Sequence, residues 1–230
     1  AVQIAALTLW MRAQRAFGEA GIALGERPPI SRTNVVVAEP MPGDEGLRAE
    51  FVAALDPKLG DLVGHVFEAM ELAGDLGSLL QVEQQIAEAV RDVYGEFGDL
   101  FHEEDVERWA DAEKDVLAAL EHYAARADAG GTVSRRLFAE DAAHGFAFID
   151  LCRQKYDVVL MNPPFGAGST RAKAAFEKAY PRTKNDVYAA FVERGIQLLH
   201  KRGMLGAITS RTGFFLSSFQ KWREEILLKE

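Results

Sequence analysis

Apolar residues recur along this chain at two different periods, and the points where the period changes divide it into elements. Ile4, Leu7 and Met11 fall at helical spacing in a stretch without a breaker, which predicts a helix from Ala1 to about Phe17. Turn signals at Gly21, Gly25 and Pro28-Pro29 follow. The run Asn34-Val35-Val36-Val37-Ala38 is β-branched and bounded by Pro40, Pro42 and Gly43, as expected of a strand buried on both faces. Three stripes at spacings of three and four come next: Leu59, Leu62, Val66, Met70 and Ala73; Val82, Ile86, Val90, Val93 and Phe97; and Val106, Trp109, Val116, Leu120 and Tyr123. They predict helices that pack through these residues and turn their carboxylates to water.

After Gly130-Gly131 the pattern changes. Ser134 is placed to cap a helix carrying Leu137, Phe138 and Phe146. Tyr156 to Met161 is an apolar strand leading into Asn162-Pro163-Pro164-Phe165-Gly166. A helix from about Asp186 to His200 carries Tyr188, Val192, Ile196 and Leu199 on one face. A turn at Gly203, a strand from Met204 to Thr209 and an amphipathic end from Ser217 complete the series. Apolar strands alternating with helices indicate an α/β chain, with a parallel sheet covered by helices on both faces.

Composition sharpens this picture in one respect. The 230 residues carry a formal charge of −9, which by itself argues against a nucleic-acid partner. From Asp44 to Asp128, however, 22 acidic residues stand against 6 basic ones, a net of −16, and the remainder is net +7. Two parts with different tasks are implied, an acidic helical one at 44–130 and a basic one at 1–43 and 131–230. The lone cysteine, Cys152, permits no internal disulfide, and no secretory leader pattern or run of ~20 apolar residues occurs. The chain therefore reads as cytoplasmic, with no membrane partner. His65, His102, His122, His144 and His200 show no metal-ligand spacing, so no metal is expected.

The segment Asn162 to Phe165 stands where open α/β sheets bind ligands, beyond the carboxyl end of a strand. Each proline fixes its own φ and holds the preceding residue extended, so the segment is rigid before any ligand arrives. Neither proline has an N–H, and the local polar groups are mainly acceptors: the Asn162 side-chain oxygen and the backbone carbonyls. Acceptors so placed suit a planar exocyclic amine such as that of adenine. Taking its two hydrogens favours a pyramidal nitrogen whose lone pair can meet a methyl group, a stabilisation specific to the transition state. Phe165 offers a face on which an unstacked base could lie. The plainer reading is a loop that ends a strand, with Phe165 in the core.

Tyr156-Asp-Val-Val-Leu-Met-Asn-Pro-Pro-Phe-Gly166 resembles the catalytic motif of the S-adenosylmethionine-dependent N6-adenine DNA methyltransferases. Lys184-Asn-Asp-Val-Tyr-Ala-Ala-Phe191 and Lys201-Arg-Gly-Met-Leu-Gly-Ala-Ile-Thr-Ser210 are similar to the next blocks of that family. The overall pattern is most like the large single-chain enzymes of type IIG restriction–modification and bacteriophage-exclusion (phage growth limitation) systems. The resemblance covers residues 1–43 and about 131–230, leaving 44–130 as an insertion. It implies a Rossmann-like methyltransferase sheet and methylation of a flipped adenine in double-stranded DNA in a restriction or phage-defence setting, where other subunits of a defence system are conceivable partners.

The same resemblance assigns roles. Asn162 and the Pro163 carbonyl, held by Pro164, would take the target amine, and Phe165 would stack on the adenine. Glu39, just past the Val-Val-Val strand, and Phe191 would contact the cofactor adenine. Gly166 to Arg223 holds 11 Lys and Arg against 3 acidic residues. Arg171, Lys173, Lys178, Arg182 and Lys184 in it would lie along the DNA backbone.

Two family features do not occur: the glycine-rich cofactor loop, and the acidic residue that grips the cofactor ribose. The segment Ala1 to Trp10 resembles the helix after that residue, so the sheet is expected to lack its N-terminal strands and the chain to begin inside the catalytic domain. Two alternatives stand beside this reading. One is a methyltransferase acting on another planar amine, a release-factor glutamine or an rRNA guanine, although tyrosine usually follows the prolines there. The other is a non-catalytic DNA- or partner-binding scaffold. Isothermal titration of these 230 residues with S-adenosylmethionine is expected to show weak binding or none; micromolar affinity would refute this.

Overall fold

The computed structural model describes residues 2–30, 34–94, 102–128 and 133–229. The chain divides into two compact units, Ala1–Val37 and Ala38–Glu230. In the first, α1 (Val2–Glu19) forms over the expected helical stretch and buries none of its residues; Ile4, Leu7 and Met11 are exposed. The expected strand at Asn34–Ala38 does not form, and these residues are irregular, with Val37 39% exposed. A β-branched run becomes a strand only when a neighbour takes its N–H and C=O groups. Among the described residues, no strand pairs with this run.

The second unit is mostly helical: α2 (Glu45–Ala53), α3 (Pro57–Ala69), α4 (Ala73–Leu76), α5 (Val82–Tyr94), α6 (His102–Asp128) and α7 (Val133–Arg153) precede the first strand. Asp44 and Asp56 cap α2 and α3 through their carboxylates, and Pro57 occupies the first helical turn, where its missing N–H costs nothing. The predicted stripes are the buried faces through Leu62, Val66, Met70 and Ala73; Val82, Ile86 and Val90; Trp109, Val116, Leu120 and Tyr123, while Leu59 and Val93 are only half-buried. Phe97 and the Val106 side chain lie outside the described residues. Rings knit these helices together, with Phe51, Phe67 and Tyr123 all within 6.1 Å of Phe138 and Trp109 stacked on Phe146. Each such burial contributes about 2 kcal/mol. Ser134 is not the cap of α7, which begins one residue earlier at Val133. Cys152 is buried on α7, where desolvation pushes its thiol up to about 11.

Then come β1 (Tyr156–Met161), α8 (Lys173–Ala179), α9 (Val187–Gln197), β2 (Leu199–Ala207) and α10 (Thr212–Phe215). The strands pair in parallel, Val158 with Met204 and Met161 with Ala207. Side chains of Val159, Met161 and Leu205 face α9 across Gly195, where an added Cβ would lie 2.4 Å from Leu205 and Met161. Only glycine lets the helix approach this closely. The other face of the pair is open, since Val158, Leu160 and Met204 are 49%, 79% and 67% exposed. The expected sheet, with helices on both faces, is thus a two-stranded pair with α9 on one. Nor is Gly203 a turn ahead of a strand. β2 begins at Leu199, and between Leu199 and Met204 it advances five residues while β1 advances two, a bulge in which Arg202 adopts φ +74°.

A buried ion pair ties α9 to α5. Arg194, 3% exposed at its side chain, meets Glu83 at 2.7 and 2.8 Å and donates to the Ser78 carbonyl at 2.9 Å and the Cys152 carbonyl at 3.4 Å. An Arg194→Ala variant strands Glu83 and two carbonyls in a mostly dry site, and should lose about 3 kcal/mol of stability in urea unfolding.

Candidate active site

Asn162 follows β1 directly, at the carboxyl ends of both strands. The Ile208 N–H donates to the Met161 carbonyl at 3.1 Å, carrying the pairing up to the first residue of the loop. Pro163 is buried, while Asn162 and Pro164 are exposed and Phe165 is 53% exposed. Among the described residues, neither the Asn162 side chain nor the Pro163 carbonyl has a hydrogen-bond partner. Two acceptors with no internal commitment therefore stand side by side on a backbone stiffened by two proline rings. Phe165 is not in the core.

The loop is fastened by a residue for which sequence reasoning assigned no role. Asp186 is the N-cap of α9, accepting from the Tyr188 N–H at 3.2 Å, and the same oxygen accepts from the Gly166 N–H at 2.9 Å. The Gly166 carbonyl in turn accepts from the Val187 N–H at 2.9 Å. Gly166 reaches this double contact with φ +106°, a conformation open to glycine and strained for other residues. The signal was present in the sequence: an Asp immediately before an apolar periodic run marks a helix start.

Tyr188 supports the loop from beneath. It is fully buried, and its ring lies 5.6 Å from Phe165 and 5.6 Å from Phe219, with Trp222 edge-on at 5.7 Å. Burial raises its phenol pKa, and the Asp186 charge adds to the rise. The phenol stays neutral and acts as a packing ring.

The remaining candidate residues are spread around this centre. Phe191 is half-buried in the middle of α9, which packs against the turn Gly77–Leu80. Glu39 is exposed on irregular chain between Ala38, which approaches Gly77, and Pro40, which approaches Gly74. Arg171 pairs with Glu71 at 3.0 Å and Asp75 at 3.6 Å, and Lys173 with Glu177 at 4.0 Å. Arg182 donates to the Glu193 carboxylate at 2.6 and 3.1 Å, where the buried Thr183 hydroxyl also donates, at 2.7 Å. Lys178 and Lys184 are exposed.

The family model described as Eco57I restriction-modification methylase matches residues 1–230. Adenine-specific methyltransferase BrxX of Escherichia coli O9:H4 (strain HS) is 31% identical over 77 residues, 32% of this chain and 6% of the relative. Adenine-specific methyltransferase PglX of Lacticaseibacillus casei (strain Zhang) is 37% identical over 75 residues, 31% of this chain and 6% of the relative. The matched stretches are a small fraction of these relatives' length.

Replacing Asp186 with Ala removes a helix cap and the anchor of Gly166 together. The expected cost is about 1–2 kcal/mol in chemical denaturation, with faster amide exchange at Gly166. Asn, which keeps an acceptor oxygen, should cost clearly less.

Proposed function

Because the chain belongs to the Eco57I restriction-modification methylase family, we propose that it carries the Asn-Pro-Pro-Phe site for methyl transfer from S-adenosylmethionine to the N6 amine of a flipped adenine in DNA, in a restriction–modification or phage-defence setting. The observation that carries this reading is the pair of uncommitted acceptors, Asn162 Oδ1 and the Pro163 carbonyl, beside the exposed ring of Phe165. The names of the two relatives, both adenine-specific methyltransferases, support adenine over a release-factor glutamine or an rRNA guanine.

In this reading β1 and β2, with α9 packed on them, belong to a Rossmann-like catalytic core formed by residues 1–43 and 131–230, and 44–130 is an acidic helical insertion. The adenine, turned out of its duplex, lies against Phe165, and its two amine hydrogens point at Asn162 Oδ1 and the Pro163 carbonyl. This draws the nitrogen out of conjugation and directs its lone pair away from the protein acceptors. The two acceptors would hold the positive charge that grows on the nitrogen as the methyl group passes to it from the donor's sulfonium sulfur, which leaves as a neutral thioether, and the extra proton on nitrogen would then pass to water.

The residues present suit the cofactor in kind. Half-buried Phe191 offers an apolar ring to its adenine, and the exposed Glu39 carboxylate an acceptor for its amine. S-adenosylmethionine, when bound, supplies the electrophilic methyl group. Lys173, Lys178 and Lys184, with Arg171 and Arg182, supply the positive charge along which the DNA backbone runs.

Asn162→Ala in the gene should abolish N6-methyladenine, with a loss of at least about 100-fold in transfer rate. Sequencing of host DNA for the modified base measures it. Unchanged adenine methylation would sink the proposal.

A further inference from the structure

Phe165, 53% exposed, is not the one large apolar side chain left in water beyond the strand ends. Ile208 is 61%, Phe214 50%, Phe215 79% and Leu216 51% exposed. Scattered exposed apolar residues need no explanation, but five of them gathered around one site mark a contact surface.

The turn that carries three of these residues is built to hold them there. The Arg223 guanidinium donates to the Gly213 carbonyl at 2.6 Å and the Leu216 carbonyl at 2.8 Å, and the Leu216 N–H closes on the Thr212 carbonyl at 3.0 Å. The Phe214 ring lies 5.6 Å from buried Trp222, which lies 5.7 Å from Tyr188, the ring beneath Phe165. Phe165 and Phe214 are thus the two exposed ends of a four-ring ladder whose middle rungs, Tyr188 and Trp222, are buried. Phe215 stands next to the second end, on a turn that is pinned and still presents it to water.

The charges around the turn indicate its occupant. From Gly195 to Arg223 the sequence has five Lys and Arg and no Asp or Glu. Glu224 and Glu225 follow directly, so the excess of positive charge lies on the stretch that leads into the turn and through it. Aromatic side chains on a stretch with such an excess suit a nucleic acid, whose phosphates meet the cations while its bases meet the rings.

We propose that the Phe214–Leu216 turn is a second DNA-contact element, with Phe215 entering the base stack beside the adenine presented to Asn162. The proposal rests on the adenine reading of the site. Extruding a base leaves a gap in the duplex, and an apolar side chain filling that gap offsets the lost stacking.

The test uses the full-length protein and a fluorescein-labelled duplex of about 40 base pairs, titrated at several salt concentrations. Phe215→Ala should weaken binding about tenfold with no change in the slope of log K against log salt, because a stacking contact is lost and no phosphate contact is. Phe215→Trp should bind within about twofold of wild type. The unfolding midpoint of both variants should match wild type, since this side chain packs on little. Wild-type affinity in Phe215→Ala, or a loss accompanied by a shallower salt slope, would overturn the wedge and leave a protein partner as the occupant of the turn. Methyl transfer by wild type and Asn162→Ala is measured on the same DNA. A protein that needs Phe215 to bind yet transfers no methyl group would keep this contact and remove the adenine reading.

Discussion

One carboxylate holds the Asn162–Gly166 loop in place. Two prolines make the loop stiff, but stiffness gives a fixed shape and not a fixed position. Position comes from Asp186, whose oxygen receives N–H groups from the loop and from the first turn of α9 at once. The N-terminal end of a helix favours negative charge, so the same carboxylate is stabilised by the helix it caps. The backbone bond from Val187 to Gly166 and the ring of Tyr188 under Phe165 complete the fastening. The acceptors of Asn162 and Pro163 remain uncommitted because the work of anchoring is done four residues further along the chain.

Electrostatically, the chain is less divided than its charge map suggests. Arg171 and Arg194, from the basic part, reach across to Glu71, Asp75 and Glu83 of the acidic part. These contacts differ in what they allow. Arg171 and Glu71 are 57% and 71% exposed, and such pairs contribute little, so Arg171 can exchange a carboxylate for a phosphate at small cost. Glu193, at 5% exposure, is buried under Arg182 and Thr183, and moving Arg182 would leave its carboxylate partly unpaired in a dry site. Of the five cations proposed to line the DNA path, Arg182 is the one most bound to a structural role.

Helical periodicity was the most readable part of the sequence. The stripes through Leu62, Ile86 and Trp109 are buried faces, and Tyr156 to Met161 is a strand, because these patterns depend on local spacing and on the burial of one side. What failed depended on partners. Val35 to Val37 has the composition of a buried strand and, among the described residues, no strand paired with it. The open face of Val158, Leu160 and Met204 was invisible for the same reason, since an apolar strand does not state what covers it. The bulge at Arg202 looked like a turn at Gly203 because a glycine signals a break without giving its kind. At the site, Asn162 and Phe165 were conspicuous as a motif, whereas Asp186 and Tyr188 act through contacts between segments 20 or more residues apart.

The mechanical consequence of α9 follows from where it is held. The helix is about 16 Å long and is attached at three places: to the loop through Asp186, to the strands across Gly195, and to the acidic helices through Arg194. Two of these fastenings, at the consecutive residues Arg194 and Gly195, grip the C-terminal end of the rod in different directions, and the third grips its N-terminal end. Glu83 on α5 is thereby joined to Gly166 through one continuous helix, which makes the acidic helices a part of the frame that sets the position of the loop.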